Sequence, residues 1–186
     1  ATHNLTRLAQ YTPTLFATLE DETGQATGFR ARGSVSVAPT EERFEELKRG
    51  ASMARVFGLQ VDIIDRDRIA ELVPLARVDD LVGGVHLPND GITNPIDTTQ
   101  ALAKGARSRG ARIAENVKVT RIVVEGGRAV GVEYEQNGER GEIRADAIVN
   151  AAGMWGRELG DQAGAVVPLH AAEHYYIVTE GVDGIS

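Results

Sequence analysis

Ala145-Asp146-Ala147-Ile148-Val149-Asn150-Ala151-Ala152-Gly153-Met154-Trp155-Gly156 reads as an apolar strand that enters a turn of small residues and continues into helix-compatible sequence. Small side chains let a backbone approach a ligand closely, and in open α/β sheets ligands sit beyond the carboxyl ends of the strands. Ala151, Ala152 and Gly153 therefore stand where a nucleotide would pass. A tight strand-to-helix turn that needs glycine for packing alone would use the same residues, so the stretch by itself leaves both readings open.

Upstream of this turn lie strand-like runs over Arg112–Ala114, Val117–Glu125, Arg128–Glu135 and Glu142–Asn150, punctuated by Gly126-Gly127 and Asn137-Gly138. Both dipeptides tolerate positive φ, which is hairpin chemistry. Before them, Asn89-Asp90-Gly91-Ile92-Thr93-Asn94-Pro95 supplies a turn, an N-cap at Asn94 and a proline at the first helical position. The helix it opens should carry Asp97 in its first turn and stop at Gly110 after Arg109. Nearer the start, strands are expected over Phe29–Ala38, Val61–Ile64 and Leu81–Leu87, with a short helix over Arg66–Leu72. Thr40 caps an amphipathic helix through Phe44, Leu47, Ala51 and Ala54 to Gly58. In the first stretch Leu5, Leu8, Leu15, Phe16 and Leu19 fall at helical spacing, and Pro13 either starts a helix or kinks a longer one that Gly24 ends. Helix, strand, a small antiparallel insert and a return strand make an α/β arrangement.

Downstream, Val166–Thr179 combines His170, His174, Tyr175 and Tyr176 in a strand-like run. Alternation puts His174 and Tyr176 on one face, where a histidine can bind a carboxylate or adjust its charge near neutral pH. A sheet edge with solvated polar side chains reads the same way. Val119, in the strand after the Ala-rich helix, can present backbone groups to an adenine edge, as any buried strand could. His86 stands alone in an apolar strand and reads as structural. No histidine or further carboxylate joins Asp79-Asp80 or Glu41-Glu42 at metal-ligand spacing, so no metal is expected.

Composition narrows the function classes. The 186 residues carry a net charge of -7 without a basic stripe, which argues against a nucleic-acid partner. Zero cysteines exclude disulfides and a cysteine nucleophile. No run approaches the roughly 18 apolar residues of a membrane span. The chain opens on Ala1 without methionine and closes on Ser186 just after an apolar run, which reads as an internal piece of a longer protein.

Taken in order, these runs resemble the FAD-dependent oxidoreductases of the D-amino-acid oxidase superfamily, and within it the sarcosine and dimethylglycine dehydrogenases. The carriers are Gly33-Ser34-Val35, Glu41 to Leu47, Ala51-Ser52-Met53-Ala54, Asp90 to Pro95, Gly105-Ala106, Ala151 to Gly156, and His174-Tyr175-Tyr176-Ile177-Val178-Thr179-Glu180. The resemblance implies an α/β (α+β) chain holding part of an FAD/NAD(P)-binding Rossmann-like domain (1–24 and 87–166) and part of an antiparallel-sheet substrate domain (25–86 and 167–186). It implies FAD contacts at Val119, Ala151, Ala152, Gly153, Met154 and Trp155, and a substrate role for His174, with Tyr176 beside it. It also implies oxidation of an N-methyl amine such as sarcosine or dimethylglycine: a hydride equivalent passes to the flavin, leaving an iminium that hydrolyses or transfers its one-carbon unit.

The family's Gly-x-Gly-x-x-Gly loop, its upstream flavin-linking histidine, a later active-site tyrosine and any folate-binding domain are not in this sequence, so this piece alone is expected neither to hold FAD tightly nor to turn over. An electron-acceptor protein and folate would be met by regions outside it. Another amine, amino-acid or glycerol-3-phosphate oxidoreductase of the same fold is the alternative within the enzymes, and a non-catalytic binding module the alternative outside them. The expected location is the cytoplasm, or the mitochondrial matrix in a eukaryote.

Overall fold

The computed structural model describes residues 3–181 and 183. The chain divides into two compact units, one running to Arg112 and the other spanning Ile113–Val178.

The first unit opens with α1 (His3–Thr23), which keeps Pro13 inside a single helix rather than starting at it. Gly24 ends the helix at φ 64°, its amide donating to the Glu20 carbonyl at 2.7 Å. α1 packs against α4 (Pro95–Ser108). Gly105 permits the approach, since a Cβ there would lie 3.3 Å from the Thr23 methyl. Asn94 caps α4 as expected, its Oδ1 accepting from the amides of Ile96 and Asp97 at 3.0 and 3.3 Å. A buried knot ties the two helices' connections: the Thr27 carbonyl accepts from the Asn94 amide and from the hydroxyls of Thr93 and Thr98.

Glu22 and Arg109 link the far ends of α1 and α4 at 2.9 Å. Hydrogen bonds from Thr18 and then Arg109 hold the Glu22 carboxyl below its usual range. Because the folded value is the lower one, the pair's contribution is present above the ordinary glutamate range and is lost as pH falls through the lowered value. An NMR titration should show Glu22 protonating at lower pH than an unpaired glutamate, and Thr18→Ala should move it back up; an unmoved titration would contradict the assignment.

In the sequence between these helices come the strands of the sheet β2-β4-β3, built from β2 (Ser34–Ala38), β3 (Asp62–Ile64) and β4 (Gly83–Leu87), all antiparallel. α2 (Glu41–Val56) starts at Thr40, whose hydroxyl accepts from the Arg43 amide at 3.3 Å. α3 (Arg66–Leu72) starts at Asp65, which accepts from the Arg68 amide at 2.9 Å. Successive strand residues face opposite sides. Phe44 of α2 lies over Gly83 and Ile69 of α3 lies over Gly84, so the two helices cover the two faces of β4. The core on the α2 side is Ala51, Val61 and Val85, with Leu47, Ala54, Leu59 and Leu87 packed around it. Two residues each of β1 (Arg30–Ala31) and β5 (Gly91–Ile92) form a further antiparallel pair. His86 is mostly buried on β4, with Nδ1 3.8 Å from Asp62 Oδ2, a structural placement.

The second unit is built on a three-stranded meander, β6 (Lys118–Glu125), β7 (Arg128–Gln136) and β8 (Glu139–Arg144). Gly126, Gly127, Asn137 and Gly138 all have positive φ, as two-residue hairpin turns require. Register aligns Ile122, Val132 and Ile143 across one face and Arg121, Glu133 and Glu142 across the other. Arg121 pairs with Glu133, and Arg144 pairs with Glu125 and Glu142. After a short 3-10 turn (Gly153–Trp155), α5 (Gly156–Gln162) completes the regular structure.

Three strand expectations are corrected. Arg112–Ala114 forms no strand. The expected strand over Glu142–Asn150 is instead β8, Glu139–Arg144, because the Asn137-Gly138 turn sets where pairing with β7 begins. Residues 145–152 continue without a ladder, since a strand exists only where a neighbour pairs with it, and Val149 is 87% exposed. For the same reason Val166–Thr179, read as strand-like, is not a strand; Ile177 is 89% exposed. The mixed helix-and-sheet class is borne out, and every ladder among the described residues is antiparallel. Among the described residues no helix is long and apolar enough to cross a membrane.

Candidate functional site

The turn from Asn150 to Gly156 is held from within. The Asn150 side chain spans it, Nδ2 donating to the Gly156 carbonyl at 2.8 Å and Oδ1 accepting from the Ala152 amide at 3.2 Å. The Trp155 amide closes the 3-10 turn onto the Ala152 carbonyl at 3.1 Å. Gly156 is buried beneath, while Ala151, Gly153, Met154 and Trp155 are exposed and Ala152 is half-buried. Gly153 sits at φ 54°, a conformation that favours glycine, and a Cβ there would meet nothing within 4 Å. The structure thus brings Ala151, Ala152, Gly153, Met154 and Trp155, the residues for which the family resemblance implies FAD contacts, into one pinned turn whose Met154 and Trp155 side chains are exposed.

Val119 lies on β6, opposite Tyr134 and next to a register shift that separates it from Arg121. β6 is at the edge of its sheet, so its backbone has one side turned away from β7. That edge can meet a ligand through amide and carbonyl groups, as an adenine contact would need.

His174 and Tyr176 stand in an exposed stretch without regular structure, Tyr176 at 84% exposure. Between them, the Tyr175 hydroxyl donates to the Glu173 carboxylate, which raises the phenol above its usual range and keeps it protonated. A cleft of about 750 Å³ between α5 and the chain after it is lined by Met154, Arg157, Glu158, Asp161, Leu169 and His170, among others. His170 thus shares a cleft with a residue of the small-residue turn; His174 and Tyr176 do not line it. Gly160 makes room for Val167 where this segment lies on α5. Among the described residues no group of three or more histidines or carboxylates could hold a metal ion.

Sequence reasoning missed Asn150. Its signal was local: an amide side chain directly before a run of small residues, where Asn commonly bonds to the backbone two positions on.

The mouse (Mus musculus) mitochondrial pyruvate dehydrogenase phosphatase regulatory subunit is 37% identical over 179 residues, 95% of this chain and 20% of that protein. Human (Homo sapiens) mitochondrial sarcosine dehydrogenase is 38% identical over 172 residues, 90% of this chain and 18% of that protein. Rat (Rattus norvegicus) mitochondrial dimethylglycine dehydrogenase is 36% identical over 179 residues, 96% of this chain and 20% of that protein. The chain spans about a fifth of the length of these curated relatives. Among solved structures, L-proline dehydrogenase from P. horikoshii superposes with a TM-score of 0.74 at 25% identity, over 85% of this chain and 41% of that one. The sequence model of the family described as FAD dependent oxidoreductase matches residues 1–186. The chain therefore belongs to the FAD dependent oxidoreductase family, whose cofactor is FAD.

Proposed function

We propose that the protein to which this chain belongs oxidises an N-methyl amine carrying a carboxylate, of the kind sarcosine and dimethylglycine represent. The observation that carries this is the similarity, over nine-tenths of the chain or more, to two proteins named for dehydrogenation of these amines. Residues 1–24 and 87–166 would form part of the FAD-binding domain, and 25–86 with 167–186 part of the substrate domain. FAD, when bound, supplies the acceptor for a hydride equivalent from the methyl carbon. The chain's own part is to lay the Ala151–Trp155 turn and the Val119 edge against the nucleotide, and to bring His174 to the substrate. There the imidazole would bind the carboxylate or adjust the proton on the amine, with Tyr176 beside it. An electron acceptor and any folate would meet other parts of the protein, whose location would be the mitochondrial matrix in a eukaryote and the cytoplasm otherwise.

A second reading has its own support: the relative named as a regulatory subunit of a phosphatase favours a non-catalytic role on the same scaffold. Purified full-length protein separates the two. The amine-oxidation reading expects flavin absorbance and sarcosine- or dimethylglycine-dependent reduction of a dye, with kcat/KM falling on the order of a hundredfold in His174→Ala. A protein that reduces no dye with any amine supports the regulatory role, and a colourless, inactive one removes the amine-oxidation reading. Unchanged kcat and KM in the histidine variant would take His174 out of the site.

A further inference from the structure

We propose that Asn150 is a positioning residue for FAD, fixing the Ala151–Trp155 turn in the conformation that meets the nucleotide. The proposal rests on the reading that this turn lies along FAD.

Beyond the backbone bond from the Trp155 amide to the Ala152 carbonyl, the turn draws little shape from its own side chains. Ala151, Ala152 and Gly153 carry no polar side chain, and the side chains of Met154 and Trp155 are exposed. A glycine at positive φ adopts its conformation without strain but loses more freedom on being fixed than any other residue. The Asn150 amide supplies the missing constraint from both directions, its donor on the Gly156 carbonyl and its acceptor on the Ala152 amide. These two anchor points bracket Gly153, Met154 and Trp155. Holding them before the ligand arrives removes an ordering cost from binding.

The chemistry singles out this side chain. A carboxamide offers a donor and an acceptor on one short planar group at any ordinary pH. Aspartate keeps the acceptor for Ala152 and has no donor for Gly156; alanine has neither. Gly156 is buried and a Cβ there would lie 3.6 Å from Asn150 Oδ1, so the amide sits directly against the backbone it holds.

The test uses the full-length protein as wild type, Asn150→Ala and Asn150→Asp, each produced as apoprotein under riboflavin depletion and titrated with FAD, with the melting of the apoprotein recorded in parallel. The dissociation constant should rise about tenfold or more in Asn150→Ala, where two hydrogen bonds are lost, and by an intermediate factor in Asn150→Asp. The circular dichroism of the bound flavin should change in the same order. A dissociation constant within about twofold of wild type in Asn150→Ala overturns the proposal, including where the apoprotein melts lower, because that pattern is a structural role alone. If Asn150→Ala yields no folded protein, Asn150→Asp decides by the same criterion. A wild-type protein that binds no FAD overturns the cofactor reading beneath the proposal, an outcome distinct from wild type and variants binding FAD equally.

Discussion

Ile69→Ala is expected to lower the stability of the first unit by about 2–5 kcal/mol. Ile69 is the largest side chain buried completely, at 0% exposure, and its Cδ1 lies 3.2 Å from where a Cβ on Gly84 would stand. Removing it costs the transfer of the lost methylenes and leaves a cavity on the face of β4 that α3 covers. α3 has only seven residues, too few to persist as a helix without that contact. Loss of the anchor should therefore fray the helix as well as empty the cavity, placing the effect toward the upper part of the range. Ile69→Val removes a single methylene and should cost about 0.5–1.5 kcal/mol. Equilibrium urea unfolding measures both, and a loss below about 1 kcal/mol for the alanine variant would mean that α3 does not seal the sheet as described.

Gly131→Val is the second large effect, and its sign runs against strand preference. Valine favours strands in general. At Gly131, on the central strand of the meander, a Cβ would stand 2.5 Å from the Ile143 carbonyl oxygen and 3.4 Å from the Arg144 Cα. Both neighbours are backbone of the paired strand, so neither can swing aside, and β8 would have to part from β7. A cost of about 1–3 kcal/mol or more is expected, with Gly131→Ala showing the same sign at smaller size. The change should also loosen Arg144 from Glu125 and Glu142, since that residue lies directly opposite Gly131. Amide hydrogen exchange over Glu139–Arg144 reads the parting of the strands, and unchanged protection would contradict it.

The legible parts of the fold were those whose cause is local. Thr40 and Asn94 cap helices because a short oxygen-bearing side chain reaches an amide two or three residues on, and both were readable from sequence. Gly126-Gly127 and Asn137-Gly138 were readable because so few residue pairs accept positive φ twice in succession. What escaped depended on partners. The limits of β8 follow from pairing with β7, and its exposed Glu139 and Arg140 gave no apolar signal. Ile148, Val149, Ile177 and Val178 have strand-forming side chains yet make no ladder, because that needs a second chain segment at their edge. The same division holds at the site. The small-residue turn could be read from composition, whereas its pinning by Asn150 and the sharing of a cleft by Met154 and His170 are tertiary facts.

The meander and the α1–α4 pair also differ in the span of chain each must close. The turns of β6–β8 each close a loop of two residues, while Arg109 reaches Glu22 across 87 positions. The entropy of closing a loop grows with the logarithm of its length. The meander's order is consequently the least indebted to distant sequence, and the helix pair's order is the most. Within one short chain, the sheet that carries Val119 is specified almost wholly by its own residues, and the helices are specified by their ability to find each other.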